Sequence, residues 1–261
     1  MTPGVGLLFP GEMGAIVGAA ADGDVLWASE GRSEDTAARA RQGGFRDVGS
    51  AARLVAESDV ILSVCPPGIA EEVARSVAAE GFEGVYVEAN AISPDRTERI
   101  AAETGLRLVD GGIISRTQVN LYLSGADEDV EAVTRLFDGS EVDAIPLPGD
   151  VGAASALKMA FGGWNKIGVL LTAQAYAIAR AYDVADALAG EGVNADSIPR
   201  AGPKAWRWQD EMEEIARTCA ALGLPDGLAE GAARVCERWA HQRGRAPELT
   251  ELLDDLSTRP G

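Results

Sequence analysis

Histidine, cysteine and basic side chains are scarce in this chain, and each shortage excludes a class of site. The single histidine, His241, is too little for a His-rich metal site, and it disfavours a Ser–His–Asp hydrolase because it would have to be the base. The three cysteines, Cys65, Cys219 and Cys236, are odd in number and widely spaced, which indicates reduced thiols. We therefore expect neither a disulfide framework nor a metal site.

Basic residues are also few compared with acidic ones. Lys and Arg number 23 against 41 Asp and Glu, which gives a net charge of −18. Such a chain lacks the basic footprint that duplex nucleic acid or an anionic membrane surface requires, so we expect neither as a partner. No apolar run approaches the roughly 20 residues of a membrane span, and no signal-like segment opens the chain. A cytoplasmic location is the expectation.

What the chain does contain is a regular alternation of strand-like and helical segments over residues 1–149. Apolar runs such as VGLL and DVILSVC alternate with helical stretches, which is typical of a doubly wound parallel sheet. From residue 150 onward the pattern is helical only, and it begins with a helix over residues 152–183 that is apolar or small on nearly all sides. The sequence therefore predicts an α/β, Rossmann-type domain (1–149) followed by an all-α domain (150–261), joined by this long central helix.

The first strand leads into the turn FPGEMG and then a helix of small residues. In the dinucleotide-binding pattern G-x-G-x-x-G the first position is Phe9 here, while Gly11 and Gly14 hold the second and third. Helix N-terminal amides after such a turn can hold a pyrophosphate. The alternative is an ordinary surface loop, since glycine-rich turns are common.

The end of the second strand is where such folds distinguish NAD from NADP. Both an acidic residue, Glu30, and a basic one, Arg32, stand there. We interpret Arg32, together with Ser33, as contacts for a 2′-phosphate and so favour NADP, while NAD stays open. The alternative interpretation is that these are solvated loop charges.

Lys158 lies in the stretch GAASALKMAFGG, among Leu157, Met159 and Phe161 at helical spacing. An ammonium near apolar walls is desolvated, which lowers its pKa toward the range useful for proton transfer. Alternatively, the lysine only snorkels from a packed helix. Cys65, next to the proline pair that ends its strand, is interpreted as a packed small residue rather than a nucleophile.

Four segments, GLLFPGEMG, EANAISP, DGGIISR and GAASALK, occur in this order along the chain. Together they resemble the cofactor turn, the D-x-S-T-I-S-P segment, the substrate loop D-A-P-V-S-G-G and the catalytic lysine segment of the β-hydroxyacid dehydrogenase superfamily, which includes 6-phosphogluconate and 3-hydroxyisobutyrate dehydrogenases. The C-terminal part resembles the all-helical domain of that superfamily's phosphogluconate-dehydrogenase-like branch. The resemblance implies a homodimeric NAD(P)-dependent oxidoreductase whose substrate is a small anionic 3-hydroxy acid or its oxo form.

The resemblance also implies roles for individual residues. Lys158 would be the general acid/base that moves the substrate proton. The implied cofactor contacts, besides Arg32 and Ser33, are Phe9, Pro10, Gly11, Glu12, Met13, Val64, Cys65, Pro66 and Asn90. The implied substrate contacts are Gly112, Ile113, Ile114, Ser115 and Arg116.

Departures from the superfamily pattern limit this transfer. Gly162 replaces the asparagine expected one turn after Lys158, and Asn165, seven residues after the lysine on the same helix face, is the candidate catalytic substitute. Arg116 replaces a glycine, and it either binds an anionic group of the substrate or is a surface arginine. The tryptophans of AWRWQDEM either close the site or belong to a core or dimer interface.

Two other functions remain open at this point. Imine reductases and reductive aminases reuse the same architecture with the lysine replaced, so the presence of Lys158 favours chemistry at oxygen. A non-catalytic cofactor-binding protein is the other hypothesis, and it is motivated by Phe9 in the cofactor turn and by the absent asparagine.

Overall fold

Within residues 2–257, which the computed structural model describes, eight strands form one sheet. The strands are β1 (Gly4–Leu8), β2 (Asp24–Trp27), β3 (Arg46–Asp47), β4 (Val60–Ser63), β5 (Val85–Glu88), β6 (Arg107–Ser115), β7 (Val119–Ser124) and β8 (Val142–Pro146). The helices that follow them are α1 (Glu12–Ala20), α2 (Glu34–Gln42), α3 (Ala51–Glu57), α4 (Ala70–Ala79), α5 (Pro94–Thr104), α6 (Asp127–Arg135) and α7 (Ala153–Gly162).

The strand order is β3-β2-β1-β4-β5-β6-β7-β8. Neighbouring strands are parallel except β6 and β7, which form an antiparallel hairpin. The first six strands have the 3-2-1-4-5-6 order of a dinucleotide-binding sheet, whose order reverses between β1 and β4. The prediction of a Rossmann-type doubly wound sheet followed by helices is confirmed.

Successive residues of each strand face opposite sides of the sheet, and the two sides carry separate cores. On β5, Val85 and Val87 belong to one core and Tyr86 to the other. Helices α1, α2 and α6 contribute to the first core through residues such as Val17 and Val133, and helices α3, α4 and α5 contribute to the second. Because helices cover both faces of the sheet, the parallel strands are continuous runs of apolar residues in the sequence.

Strand β6 is longer than its parallel neighbour. The last β5–β6 pair is Glu88 with Asp110, whereas β6 continues to Ser115. Residues 111–115 are paired with β7. This end of β6 therefore projects beyond the carboxyl ends of the parallel strands, which is the side where open α/β sheets bind their ligands.

The second compact unit of the chain begins at residue 159, and it is helical over its described residues, 159–257. After a π-helical turn (Gly163–Ile167) come α8 (Gly168–Ala181), α9 (Ala185–Gly190), α10 (Ile198–Ala201), α11 (Ala205–Ala221), α12 (Gly227–Arg238) and α13 (Leu249–Ser257). Trp239 is fully buried at the end of α12, and its Nε1 donates a hydrogen bond of 2.9 Å to the carbonyl oxygen of Leu252 on α13. No helix among residues 2–257 is long and apolar enough to span a bilayer.

The predicted central helix differs from the observed one in two respects. Residues 153–181 are helical, but the π turn Gly163–Ile167 separates α7 from α8. The prediction of burial on nearly all sides is wrong for α8, where Leu171 and Ile178 are 64% and 59% exposed. An apolar composition does not tell which face the same chain covers and which face it leaves exposed.

The division between the two compact units falls at Lys158, inside α7, and the domain boundary at residue 149 stays a prediction. The first turn of α7 packs closely on β6 because Gly112 has no side chain. A Cβ atom at Gly112 would lie 2.7 Å from the carbonyl oxygen of Ala154. The start of the helix therefore belongs physically to the sheet.

This close approach predicts that Gly112→Ala destabilises the protein. A methyl group 2.7 Å from a backbone oxygen forces α7 away from β6. The resulting overpacking should lower the free energy of unfolding by about 1–3 kcal/mol, which urea denaturation measures. Gly68→Ala is the matched control, since nothing lies within 4 Å of a Cβ at that position. Equal stability of the two variants would contradict the proposed packing.

Candidate active site

The predicted cofactor residues lie at the carboxyl ends of parallel strands. Phe9 to Met13 follow β1, Arg32 and Ser33 lie beyond β2, and Val64 to Pro66 follow β4. In a doubly wound sheet these ends border the ligand crevice where the strand order reverses. The topology thus places the three predicted cofactor segments at one edge of the sheet.

The turn after β1 has the backbone of a glycine-rich turn although its first position is phenylalanine. Phe9 has a φ of +65°, a left-handed conformation that glycine adopts freely and that is unfavourable by about 1–2 kcal/mol for other residues. Its carbonyl oxygen accepts a hydrogen bond of 2.7 Å from Gly11 N and would lie 2.6 Å from a Cβ at Gly14. A Cβ at Gly11 would meet only this oxygen, at 3.9 Å, so the turn is open to a close ligand at that point.

The neighbouring residues of this turn have different environments. Pro10 is buried, and its carbonyl oxygen accepts a hydrogen bond of 3.0 Å from Nε of Arg39 on α2. Glu12 is exposed in the first turn of α1, while Met13 is half-buried and packs against the core. Arg39, which the sequence analysis did not single out, therefore fixes the turn to α2.

Arg32 lies directly against Phe9. Its guanidinium carbon is 3.8 Å from the centroid of the Phe9 ring, and partial burial lowers the pKa of this arginine. Its Nε is buried and has no hydrogen-bond partner among the described residues. Ser33 has a local role, because its Oγ accepts a hydrogen bond of 3.3 Å from Thr36 N and caps α2.

The loop after β4 is tied to the segment after β5. Asn90 Oδ1 accepts a hydrogen bond of 2.5 Å from Cys65 N, while Val64 packs on the core and Pro66 is exposed. Burial raises the pKa of the Cys65 thiol to about 12, so the thiol is protonated at neutral pH and unsuited to act as a nucleophile. On the far side of the loop, Arg96 donates a hydrogen bond of 3.0 Å to the carbonyl oxygen of Pro67.

Asn90 is held in turn by Glu88, a residue that the sequence analysis missed. The backbone N–H of Asn90 donates a hydrogen bond of 3.2 Å to Glu88 Oε1. The side-chain Nδ2 of Asn90 donates hydrogen bonds to the same oxygen and to Ser63 Oγ. Glu88 is fully buried, and its desolvation raises its pKa to about 8. Because the polar atoms of Asn90 are engaged inside the protein, we expect it to position the Cys65 loop. A carboxylate at the end of the buried strand VYVE was the available signal.

The predicted substrate segment is a strand rather than a loop. Gly112 to Ser115 belong to β6, where Ile114 pairs with Asn120 and Ser115 with Val119. Ile113 and Ile114 are buried, whereas Ser115 and Arg116 are exposed at the hairpin end. The superfamily's substrate loop thus corresponds here to a strand paired with β7, and the role of these residues as substrate contacts stays a prediction.

Lys158 reaches this projecting part of β6. Its Nζ donates a hydrogen bond of 2.7 Å to the carbonyl oxygen of Ile113, and the residue is half-buried. The structure thus places the lysine and the predicted substrate strand together, on the ligand-binding side of the sheet.

The helix that carries Lys158 is anchored by Asp110 of β6, which the sequence analysis also missed. Its Oδ2 accepts hydrogen bonds of 2.9 Å from the backbone N–H groups of Gly152 and Ser155. Its Oδ1 accepts a hydrogen bond of 2.6 Å from Ser155 Oγ. Ser124 Oγ on β7 accepts 3.0 Å from Ala154 N. These acceptors satisfy N–H groups at the start of α7 that have no partner within the helix. Burial raises the pKa of Asp110.

Gly162, which replaces the expected asparagine, and Asn165, the candidate substitute, both lie in the helical unit. Asn165 is exposed within the π turn, and a π turn changes the helical register on which its assignment to the Lys158 face depended. Its catalytic role therefore stays a prediction. Gly162 faces Glu211, whose Oε1 would lie 2.6 Å from a Cβ at that position. The carboxyl group of Glu211 occupies the space that an asparagine side chain would need.

Each tryptophan of AWRWQDEM lies against a basic side chain. The Trp206 ring lies 3.9 Å from the guanidinium carbon of Arg243, and the Trp208 ring lies 5.5 Å from Lys166 Nζ. Lys166, which is half-buried, in turn forms an ion pair with Glu211. These contacts lie within the helical unit, and the prediction that the tryptophans close the site remains untested.

The chain is similar to one family of domains and to several solved structures. A family model described as a domain of unknown function (DUF1932) matches residues 179–239, in the helical unit. No curated protein matches the chain. Among solved structures, the 3-hydroxyisobutyrate dehydrogenase of Mycobacterium tuberculosis with L-serine has a TM-score of 0.76 at 16% identity, over 99% of this chain and 100% of that one.

Two further structures are similar over nearly the full chain. The 3-hydroxyisobutyrate dehydrogenase of Salmonella typhimurium has a TM-score of 0.69 at 18% identity, over 96% of this chain and 99% of its own. An imine reductase variant from Myxococcus stipitatus in complex with NAD+ has a TM-score of 0.55 at 21% identity, over 98% of this chain and 100% of its own.

Sheet order and helical unit together define a Rossmann-type protein with an all-helical C-terminal unit. More particularly, the chain has the fold of 3-hydroxyisobutyrate dehydrogenases and related β-hydroxyacid dehydrogenase-like proteins. The resemblance carried by the four sequence segments is confirmed at the level of the fold.

The buried Glu88 predicts a pH-dependent contribution to stability. Its pKa is about 8 in the folded protein against 4.5 for an unperturbed glutamate, so between these values the folded state binds the proton that the unfolded state has lost. The stability of the natural protein relative to Glu88→Gln should fall by about 1.4 kcal/mol for each pH unit over this window. Below it the difference should be constant, because both side chains are then neutral.

Urea denaturation of both proteins in steps from about pH 5 to pH 8 measures this difference. The exposed Glu80→Gln is the matched control and should follow the natural protein at every pH. Parallel stability curves for the natural protein and Glu88→Gln would contradict the buried, protonated carboxyl group.

Proposed function

We propose that the protein is an NAD(P)-dependent oxidoreductase that transfers a hydride between the nicotinamide and a small anionic 3-hydroxy acid or its oxo form. The observation that carries the proposal is the hydrogen bond of 2.7 Å between Lys158 Nζ and the carbonyl oxygen of Ile113. It holds an ionisable amine at the ligand side of a dinucleotide-binding sheet. The likeness to 3-hydroxyisobutyrate dehydrogenases supports the same class of substrate.

The residues around the β1 turn fit a dinucleotide. Gly11 leaves room for close backbone approach, and α1 begins there without a side-chain cap on its N–H groups. The Nε of Arg32 is buried and has no hydrogen-bond partner among the described residues. A bound anionic ligand would supply that partner. The bound nicotinamide would accept or supply the hydride.

Lys158 would handle the proton in this reaction. As the neutral amine, its Nζ takes the hydroxyl proton of a 3-hydroxy acid during oxidation, and as the ammonium it returns the proton to the carbonyl oxygen during reduction. The Ile113 carbonyl keeps Nζ at the edge of β6. Arg116, exposed at the hairpin end, is the proposed partner of the substrate carboxylate, since its guanidinium can bind a carboxylate through two parallel hydrogen bonds.

We favour NADP over NAD as the cofactor. Arg32 lies beyond β2, at the end where a 2′-phosphate is recognised in such folds, and arginine is suited to that group. Ser33 would assist through the N-terminus of α2, which it caps. The cytoplasmic location and the domain boundary at residue 149 stay predictions from the sequence.

Imine reduction is the second candidate function. An imine reductase is among the structural neighbours, although its TM-score of 0.55 is below the 0.76 of the mycobacterial dehydrogenase. Lys158 favours oxygen chemistry, because a hydroxyl or carbonyl substrate needs a proton donor and acceptor at that position.

Replacement of Lys158 tests the proposed chemistry. Lys158→Ala should lower turnover by about 100- to 10,000-fold while leaving cofactor affinity within a few-fold, because general acid/base catalysis is lost and the β1 turn is untouched. Lys158→Arg should also be impaired, since a guanidinium retains the charge but does not release its proton. Steady-state assays with 3-hydroxy acids and the matching oxo acids give the rates, and the exposed Lys204→Ala is the control.

The same assays separate the alternatives. Full turnover by Lys158→Ala would refute the acid/base role. Activity with a ketone only when an amine is supplied would favour an imine reductase. Tight cofactor binding without turnover on acids, aldehydes or imines would favour a non-catalytic binding protein.

We further propose that the protein is a homodimer formed through α8. Leu171, Ile178 and Tyr182 are 64%, 59% and 77% exposed and follow one another at spacings of seven and four residues, as one apolar face of a helix does. An exposed apolar face of this kind is typical of a helix-packing interface.

Disruption of this face should change the oligomeric state. Ile178→Asp should convert a dimer into a monomer of 27.1 kDa, because an unpaired carboxylate is costly to bury in an apolar contact. Size-exclusion chromatography with light scattering measures the mass. Leu222→Asp, at a residue that is 69% exposed after α11, is the matched control and should leave the dimer intact. A natural protein that is monomeric at micromolar concentration would refute the proposal.

A further inference from the structure

Phe9 combines an unfavourable backbone with a specific side-chain contact. Its φ of +65° is the conformation that explains a glycine at the first position of the dinucleotide turn. A phenylalanine there is disfavoured unless its side chain contributes something that glycine lacks. What the ring contacts therefore indicates why this residue is present.

The ring of Phe9 supports the guanidinium of Arg32. The guanidinium carbon lies 3.8 Å from the ring centroid, which is the geometry of a cation–π contact. The arginine is half-buried, and its Nε lacks a hydrogen-bond partner among the described residues. Arg39, in contrast, donates through Nε to the carbonyl oxygen of Pro10 and through a terminal nitrogen to Thr36 Oγ1. Arg39 is engaged in holding the turn, whereas Arg32 is stacked on it.

We propose that Phe9 is a positioning residue for cofactor specificity, which holds the guanidinium of Arg32 ready for the 2′-phosphate of NADP. The inference rests on the proposed function, since it requires a dinucleotide at the β1 turn. An arginine confined by an aromatic ring loses less conformational freedom when it binds an anion. The ring also shields one face of the guanidinium from water, which strengthens its attraction to a phosphate.

A double-mutant cycle tests this coupling. Dissociation constants for NADPH and NADH are measured by calorimetry for the natural protein, Phe9→Leu, Arg32→Ala and the double variant. Phe9→Leu keeps apolar bulk but removes the π face, so NADPH should bind about fivefold more weakly while NADH is unaffected. Arg32→Ala should weaken NADPH by about tenfold or more. In the Arg32→Ala background, Phe9→Leu should have no further effect on NADPH.

The aromatic variant Phe9→Tyr is the matched control, because it retains a π face and should keep the preference for NADPH. Thermal unfolding of each variant shows whether the fold is retained. Equal weakening of NADPH and NADH by Phe9→Leu would overturn the proposal, since Phe9 would then only shape the turn. Additive effects of the two substitutions would overturn it as well.

These outcomes separate the inference from the proposed function. If the natural protein binds both dinucleotides with equal affinity and Phe9→Leu changes neither, the specificity role fails and the oxidoreductase proposal stands. If the natural protein binds neither dinucleotide, the proposed function fails and the inference fails with it.

Discussion

The carboxyl group of Asp110 is the contact on which the geometry of the candidate site depends. It stands where β6 leaves its parallel neighbour, and it accepts the N–H groups of Gly152 and Ser155 at the start of α7. A helix start that is capped from a buried strand has little freedom to shift, because any movement would leave polar groups without partners in the protein interior. One side chain thereby couples the end of the sheet to the helix that carries Lys158.

Two other features of β6 complete this coupling. The absence of a side chain at Gly112 lets α7 approach the strand, and the carbonyl oxygen of Ile113 receives Lys158 Nζ one residue further on. The amine is therefore placed by backbone atoms of a paired strand rather than by a mobile loop. A reactive group held by rigid elements keeps its distance to a bound ligand, which proton transfer requires.

The general plan of the fold could be predicted from local patterns. Runs such as VILS and VYVE are buried on both faces, so their composition indicated parallel strands directly. The candidate lysine was also recognisable, because its segment follows three others in a characteristic order. The apolar run LRLVDGGII is typical of a strand, whereas the antiparallel pairing of β6 with β7 was not predictable, since it depends on residues that the strand meets only in the hairpin. The exposure of Leu171 and Ile178 could not be predicted either, because apolar composition does not tell which face of a helix the rest of the chain covers.

By itself the sequence determined the alternation of strands and helices, the glycines of the β1 turn and the presence of one lysine in an apolar helix. Only the tertiary structure decided which groups serve these elements: Asp110 as the cap of α7, Glu88 as the support of Asn90, and the Phe9 ring as the platform for Arg32. Periodicity and backbone preference act between near neighbours in the chain, so they can be read from composition. Hydrogen bonds and ring contacts between distant residues exist only once the strands are ordered in the sheet, and their partners leave no local pattern.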